Sequence, residues 1–365
     1  MAKKSFDYGP LDRFKRTAQI AAAKTARNIK DFAGGEFQEA AWSRGESAYL
    51  IEAAKSFLGH VEEGLGTKNL VADAMYALTG KSFYDVVAQD TVAMIVNDAA
   101  TLGIRPLSIA MHIAVGESSW FDDDERAQDL IAGWSHACGL ARCAWGCGET
   151  PTLEGIIIPG TALLSGSAVG FVKPKKRLIN PANIRPGDAI VIVESSGVHA
   201  NGLTDARRLA ANLPKGYLTP LSSGMTFGAA LLTPTYIYTG LVEDCLASGV
   251  AIHYAVNITG HGWRKLMRAP QSFAYVIEHL PFQLPIFDFI QKRTEFNTKK
   301  MYGMYNMGAG FALYVPEADV ATVVNIARSH GLPAFQAGHI EMGAAKLVHI
   351  KPKGIFFESD SLAIR

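Results

Sequence analysis

The sequence predicts a mixed α/β (α+β) protein of two domains, and three observations carry that expectation. Its 365 residues exceed one ordinary domain. Short apolar runs bounded by glycine and proline alternate with stretches of helical periodicity along the chain. Near the middle, Lys173-Pro174-Lys175-Lys176-Arg177 interrupts the pattern with charge and a proline, so the expected division is 1–172 and 173–365. Neither half shows a sequence repeat of the other.

In the first half, Phe14, Ala18, Ala21, Ala22, Ala26 and Ile29 recur at roughly helical spacing among basic residues, predicting an amphipathic helix from Asp12 to Phe32. A strand is expected at Ala48–Phe57, leading into Gly59–Lys68, of which Glu63–Lys68 is expected as a loop. Val87, Thr91, Met94, Ile95, Asp98 and Leu102 predict a helix over Tyr84–Leu102 closed by Gly103. Pro106–Val115 reads as a strand and Asp122–Arg142 as a helix. The aspartates opening that helix suit capping and the macrodipole better than a metal. Thr161–Val172 returns as a strand. The second half continues with strand Ala189–Glu194, helix Leu203–Asn212 and a long helix from about Tyr236 to Ser248. Strand Phe273–Ile277, helix Ile286–Gln291, strand Gly310–Val315, helix Ala318–His330 and strands Phe335–His339 and Lys346–Ile350 complete it.

Composition narrows the function. Lys plus Arg total 35 against 34 Asp plus Glu, a net charge of +1, which argues against nucleic-acid binding through bulk basicity. Apolar residues make up 48% and charged residues 19%, enough for large cores. No apolar run approaches the roughly 18 residues of a membrane span. MAKKSFDYGP has no apolar stretch after its lysines, so a secretory signal is not expected. Cys138, Cys143, Cys147 and Cys245 lack paired metal-ligand spacing and are expected as reduced thiols. The expected location is the cytoplasm.

Several segments carry chemistry. In Glu63-Gly64-Leu65-Gly66-Thr67-Lys68, glycine backbone, a hydroxyl and an ammonium can face a polyphosphate, and Glu62 or Glu63 can hold a divalent cation on it. The spacing is not that of a Walker A loop. Asp90 and Asp98 lie eight apart in an apolar helix, on nearly one face, with Asn97 adjacent. Carboxylates there must bind metal or pair with cations, with Lys68 and Arg105 the candidates for pairing. Gly146-Cys147-Gly148-Glu149-Thr150 presents a third carboxylate. Ser195-Ser196-Gly197-Val198-His199-Ala200-Asn201-Gly202 follows a buried strand and suits a phosphate ester. His199 there is either a general acid–base or a structural hydrogen-bonding residue. Asn257-Ile258-Thr259-Gly260-His261-Gly262 is a second turn suited to phosphate or sugar, and glycine in Asn306-Met307-Gly308-Ala309-Gly310 permits close backbone approach.

In this order the segments resemble the AIR synthetase (phosphoribosylformylglycinamidine cyclo-ligase) family, from about Gly59 to Val315. The family's D-G-V-G-T-K is similar to Glu63–Lys68, and I-D-L-V-A-M-x-V-N-D to Gln89–Asp98. S-S-G-x-H-S-N-G is nearly complete at Ser195–Gly202, as is L-L-x-P-T-R-I-Y at Leu231–Tyr238. G-G-E-T-A-E, A-G-F-x-V-G, H-I-T-G-G-G and F-N-x-G-x-G are partial at Cys147–Leu153, Ser165–Gly170, Asn257–Gly262 and Tyr305–Gly310.

The resemblance implies a homodimer formed through the N-terminal sheet, with ATP near the interface. It implies Mg²⁺ ligands at Glu63, Asp90, Asp98 and Glu149, and ATP contacts from Gly64, Gly66, Thr67, Lys68 and Asn97. It also implies substrate contacts from Ser196, Gly197, Asn201, Thr259 and Gly260, with His199, Lys68 and Asp98 catalytic. The reaction it implies is phosphorylation of a formyl amide oxygen followed by imidazole ring closure. Glu63 stands for the family's Asp, Asn257 for its His, His261 for a Gly and Leu163 for an Asp. These departures keep thiamine-monophosphate kinase and an inert nucleotide-binding relative as alternatives. A selenophosphate synthetase would carry a reactive Cys in a glycine-rich N-terminal loop, and here no Cys precedes Cys138.

Overall fold

The computed structural model of the chain describes residues 9–362. The first half contributes helices α1 (Gly9–Ala23), α2 (Arg27–Asp31), α3 (Asn69–Thr79), α4 (Tyr84–Ala100) and α5 (Asp124–Leu140). Its strands are β1 (Gln38–Glu39), β2 (Tyr49–Glu52), β3 (Phe57–Gly64), β4 (Arg105–Val115), β5 (Ala144–Glu149) and β6 (Ala162–Val172). They form one sheet in the order β1-β2-β3-β6-β4-β5, antiparallel except for the β4–β5 pair.

The second half contributes α6 (Leu203–Ala211), α7 (Phe227–Leu231), α8 (Thr239–Ala247), α9 (Pro285–Arg293), α10 (Thr298–Met304) and α11 (Val320–Ser329). Its strands are β7 (Ala189–Glu194), β8 (Tyr254–Asn257), β9 (Phe273–Ile277), β10 (Ala309–Val315), β11 (Ala334–Met342), β12 (Leu347–Ile350) and β13 (Ile355–Glu358). They make a second sheet, ordered β13-β12-β9-β11-β7-β10-β8. β7 and β10 are apolar almost throughout because both lie inside this sheet and are covered on both faces.

Several expected boundaries move. The helix expected over Asp12–Phe32 breaks at Lys24–Ala26, where backbone turns close α1 before α2. The strand expected at Ala48–Phe57 is two, β2 and the start of β3, and β3 continues to Gly64, into the first two residues of the expected Glu63–Lys68 loop. Gly59 permits that strand because a Cβ there would collide with Ile104. The helix expected from Tyr236 starts at Thr239, since Thr235–Tyr238 is spoken for by α4. The acidic start of α5 is a cap: Asp123 accepts from the Arg126 N–H at 3.1 Å.

The first sheet has two unlike faces. Its inner face packs on α4 and α5: a Cβ on Gly166 would meet Ile95 at 3.1 Å and Trp134 at 3.4 Å. Its outer face leaves Leu107, Leu163, Val169 and Phe171 exposed. α4 is the central element, buried from Asp90 to Ala100 between this sheet and the second half. No helix among the described residues is long and apolar enough to cross a membrane. All four cysteines carry free thiols, with Cys138 and Cys245 buried.

Candidate active site

The polar residues of α4 divide into two groups. The first binds the segment Thr233–Tyr238. The Lys68 ammonium sits 2.5 Å from an Asp90 oxygen, both side chains wholly buried, and donates to the Thr233 carbonyl at 2.9 Å. The Thr235 N–H donates to Asp90 Oδ1 at 2.7 Å. Asn97 accepts from the Tyr238 N–H at 2.8 Å and donates to the Tyr236 carbonyl at 2.9 Å. Gln89 donates to the Thr235 carbonyl at 2.8 Å. Burial pulls the Lys68 ammonium below its ordinary pKa, and the Asp90 carboxylate offsets that.

These contacts correct three expectations. Asp90 is not a free metal ligand but the partner of Lys68, the pairing alternative left open by the sequence. Lys68 directs its ammonium at Asp90 and Thr233, not into a phosphate loop. Asn97 spends its amide on backbone. The physical reason is common to all three: a buried chain segment without regular secondary structure needs partners for its N–H and C=O groups.

The second group surrounds Asp98. Asn257 Nδ2 donates to Asp98 Oδ1 at 2.7 Å, so the amide that replaces the family's His holds this carboxylate directly. On β3, Phe57, Gly59 and Val61 point inward, and strand alternation puts Glu63 on that side. Burial, then the nearby Asp98 charge, push the Glu63 carboxyl up to about 7, while Lys265, Lys15 and Arg268 offset part of the rise. The Lys265 ammonium donates to Thr259 Oγ1 and, at 3.4 Å, to the Asn257 carbonyl. Burial brings it down to about 8, with Asp98 and Glu63 holding it up. Above this cluster, the backbone of Gly64–Thr67 joins β3 to the N-terminus of α3. Gly66 adopts φ +80° there, and a Cβ on it would meet nothing within 4 Å, so the loop is open on that side.

Glu149 is elsewhere. Cross-strand register aligns Gly64, Ser165, His112 and Glu149 in one row. Ser165 Oγ and His112 Nδ1 meet at 3.1 Å on the outer face, and Glu149 shares that face. It therefore lies across the sheet from α4, beside a depression of about 270 Å³ lined by Glu62, His112, Cys147 and Ser167. The expected four-carboxylate set of Glu63, Asp90, Asp98 and Glu149 is thus not assembled within one chain. Among the described residues no group of three or more His, Cys, Asp or Glu is placed to hold a metal. What the fold brings together is Glu63 with Asp98.

The Ser195–Gly202 turn is buried and ordered by side chains. Ser195 donates to the Gly197 carbonyl, Asn306 donates to the same carbonyl at 2.9 Å, and Ser196 Oγ donates to the Pro234 carbonyl. The Ser196 N–H donates to His199 Nε2 at 3.3 Å, which fixes the neutral ring. Burial first, and the Lys68 charge second, bring His199 down to about 3. With Nε2 accepting from Ser196 and burial disfavouring the imidazolium, these contacts support the structural hydrogen-bonding alternative for His199. Asn201 Nδ2 is buried with no acceptor among the described residues. Lys265 and Arg268 escaped the sequence reading; the signal available was only a basic pair shortly after the Thr259-Gly260 turn.

The fold is a mixed α/β architecture of two sheets, each with its own helices. The chain belongs to the AIR synthase related protein family. The model of its N-terminal domain matches residues 60–172 and that of its C-terminal domain residues 185–350. Among curated relatives, the phosphoribosylformylglycinamidine cyclo-ligase of Carboxydothermus hydrogenoformans is 34% identical over 303 residues, covering 78% of this chain and 81% of that protein. The same-named protein of Methanocaldococcus jannaschii is 33% identical over 295 residues, covering 80% and 81%. Solved structures share the fold at low identity. A HypE–HypF complex matches with TM-score 0.63 at 16% identity, covering 94% of this chain and 99% of that one. AaThiL complexed with AMPPCP and TMP matches with TM-score 0.57 at 15% identity, covering 85% and 89%.

Proposed function

We propose that the chain catalyses ATP-dependent cyclisation of formylglycinamidine ribonucleotide to aminoimidazole ribonucleotide, a step of purine biosynthesis. The relatives of that name, matched over about four fifths of both chains, support the reaction. The observation that carries the site is the meeting of Glu63, Asp98 and Lys265 below the open Gly64–Thr67 loop.

The chemical problem is a poor leaving group. The formyl amide oxygen takes the γ-phosphoryl of ATP, the amidine nitrogen attacks the same carbon, and phosphate departs as the ring closes. Two carboxylates near enough for one to raise the other's pKa are a donor set that Mg²⁺ accepts alongside phosphate oxygens. Glu63 and Asp98 would hold it, and when bound it would neutralise charge on the transferred phosphoryl. Asn257 keeps the Asp98 carboxylate oriented. Lys265 supplies a cation that needs no solvent reorganisation, since it is fixed by Thr259. Gly64, Gly66 and Thr67 would line the phosphates. Gly197, Asn201, Thr259 and Gly260 would meet the ribotide, with Asn201 Nδ2, which has no acceptor among the described residues, donating to it. Lys68, Asp90, Asn97, Ser196 and His199 hold the walls.

The outer sheet face, with Leu107, Leu163, Val169 and Phe171 exposed, would pair with a second copy of the chain and bring Glu149 to that interface. We place the division between the two units at Lys173–Arg177. The mechanism is tested with ribotide carrying ¹⁸O in the formyl group: label should appear in the inorganic phosphate released. Label retained in the organic product would rule out phosphoryl activation of that oxygen.

A further inference from the structure

Helix α1 lies mostly in solvent: Phe14 is 72% and Ile20 67% exposed. Asp12, in its first turn, is the exception at 6%, although a carboxylate is among the costliest groups to bury. Its Oδ2 lies 3.9 Å from His261 Nε2, too far for a hydrogen bond, and its Oδ1 has no donor among the described residues. His261 is the residue after Thr259-Gly260 and stands where the family has glycine. Lys15, one turn along α1, is near enough for its charge to act on Glu63, Lys265 and His261. α1 therefore sets Asp12 beside His261 and Lys15 within electrostatic reach of Glu63 and Lys265, with one buried carboxylate oxygen that has no donor among the described residues.

We infer that Asp12 is a substrate-binding residue whose free carboxylate oxygen accepts N–H donors from the amidine group of the ribotide. The inference rests on the cyclo-ligase reading, because that reading supplies the amidine. An amidine is a planar, cationic fork of N–H donors, the geometry a carboxylate binds best, and pairing with it satisfies the oxygen left open at Oδ1. Held this way, the amidine is positioned from the α1 side, away from the carboxylates that face the phosphoryl group.

Calorimetric titration of the full chain tests this, with formylglycinamidine ribonucleotide and Mg·ATP titrated separately into wild type, Asp12→Asn and Arg13→Ala. Asp12→Asn keeps the shape and removes the charge, and its melting temperature reports that it folds. The expected result is ribotide binding weakened roughly ten-fold or more in Asp12→Asn. Mg·ATP binding stays unchanged, and Arg13→Ala matches wild type in both. Equal ribotide affinity in Asp12→Asn and wild type overturns the inference alone. Weakened Mg·ATP binding with ribotide binding intact also overturns it, assigning Asp12 to the cation. Failure of the wild type to bind the ribotide overturns the cyclo-ligase reading itself, and this inference with it.

Discussion

Asp90 and Asp98 come from one helix eight residues apart, yet their surroundings give them different tasks. Asp90 is neutralised by Lys68 and capped by Thr235 N–H, whereas Asp98 faces Asn257 and a second carboxylate. Lys68→Met would leave the Asp90 carboxylate buried and unpaired, so urea denaturation should show a loss of about 3–5 kcal/mol. Asp98→Asn should instead fold normally and lose at least roughly a hundred-fold in turnover. Glu63 gives a pH signature. Its folded pKa of about 7 lies above the ordinary glutamate value of 4.5, so between the two the folded chain holds a proton that the unfolded chain has released. Stability from this group is thus full below 4.5 and falls as pH rises towards 7. Melting temperatures across that window should decline in wild type and decline less in Glu63→Gln; identical slopes would remove Glu63 from this role. From sequence, the carboxylates and Lys68 as a candidate partner were legible, whereas Thr235 on Asp90 and Asn257 on Asp98 were not, because they arrive from segments distant along the chain.

At the scale of elements, α4 explains both the successes and the failures of reading the sequence. Its apolar character and its Gly103 stop are visible in the sequence, and the helix runs from Tyr84 to Ala100. Its polar residues look like ligands because a sequence does not show that an irregular segment, Thr233–Tyr238, lies against them. Asn97→Ala removes one donor and one acceptor from that segment, and should destabilise the chain by about 2–3 kcal/mol in urea without altering Mg·ATP affinity. β5 was missed for a different reason. Ala144–Glu149 is an edge strand exposed at every residue, so it has no alternation to detect. β3 runs into the start of the expected Glu63–Lys68 loop because Glu63 and Gly64 still pair with Gly166 and Ser165 of β6.

At the scale of the molecule, α4 lies between the first sheet and the second half, and the first sheet leaves Leu107, Leu163, Val169 and Phe171 exposed on its outer face. If that face pairs two copies, Phe171→Asp should convert a dimer to a monomer in light scattering. A monomeric wild type would contradict this. The two-unit α/β architecture was legible because apolar runs alternate with helical periodicity through both halves. Which face of each strand carries a carboxylate was not, since one residue of register moves Glu149 or Glu63 to the other side. The account as a whole is tested most directly by supplying purified chain with ATP, Mg²⁺ and formylglycinamidine ribonucleotide and assaying the imidazole product. Aminoimidazole ribonucleotide should form with one ADP and one phosphate per ring, and ATP should be spared without the ribotide. ATP consumed with no ring formed, or spent on thiamine monophosphate instead, would contradict it.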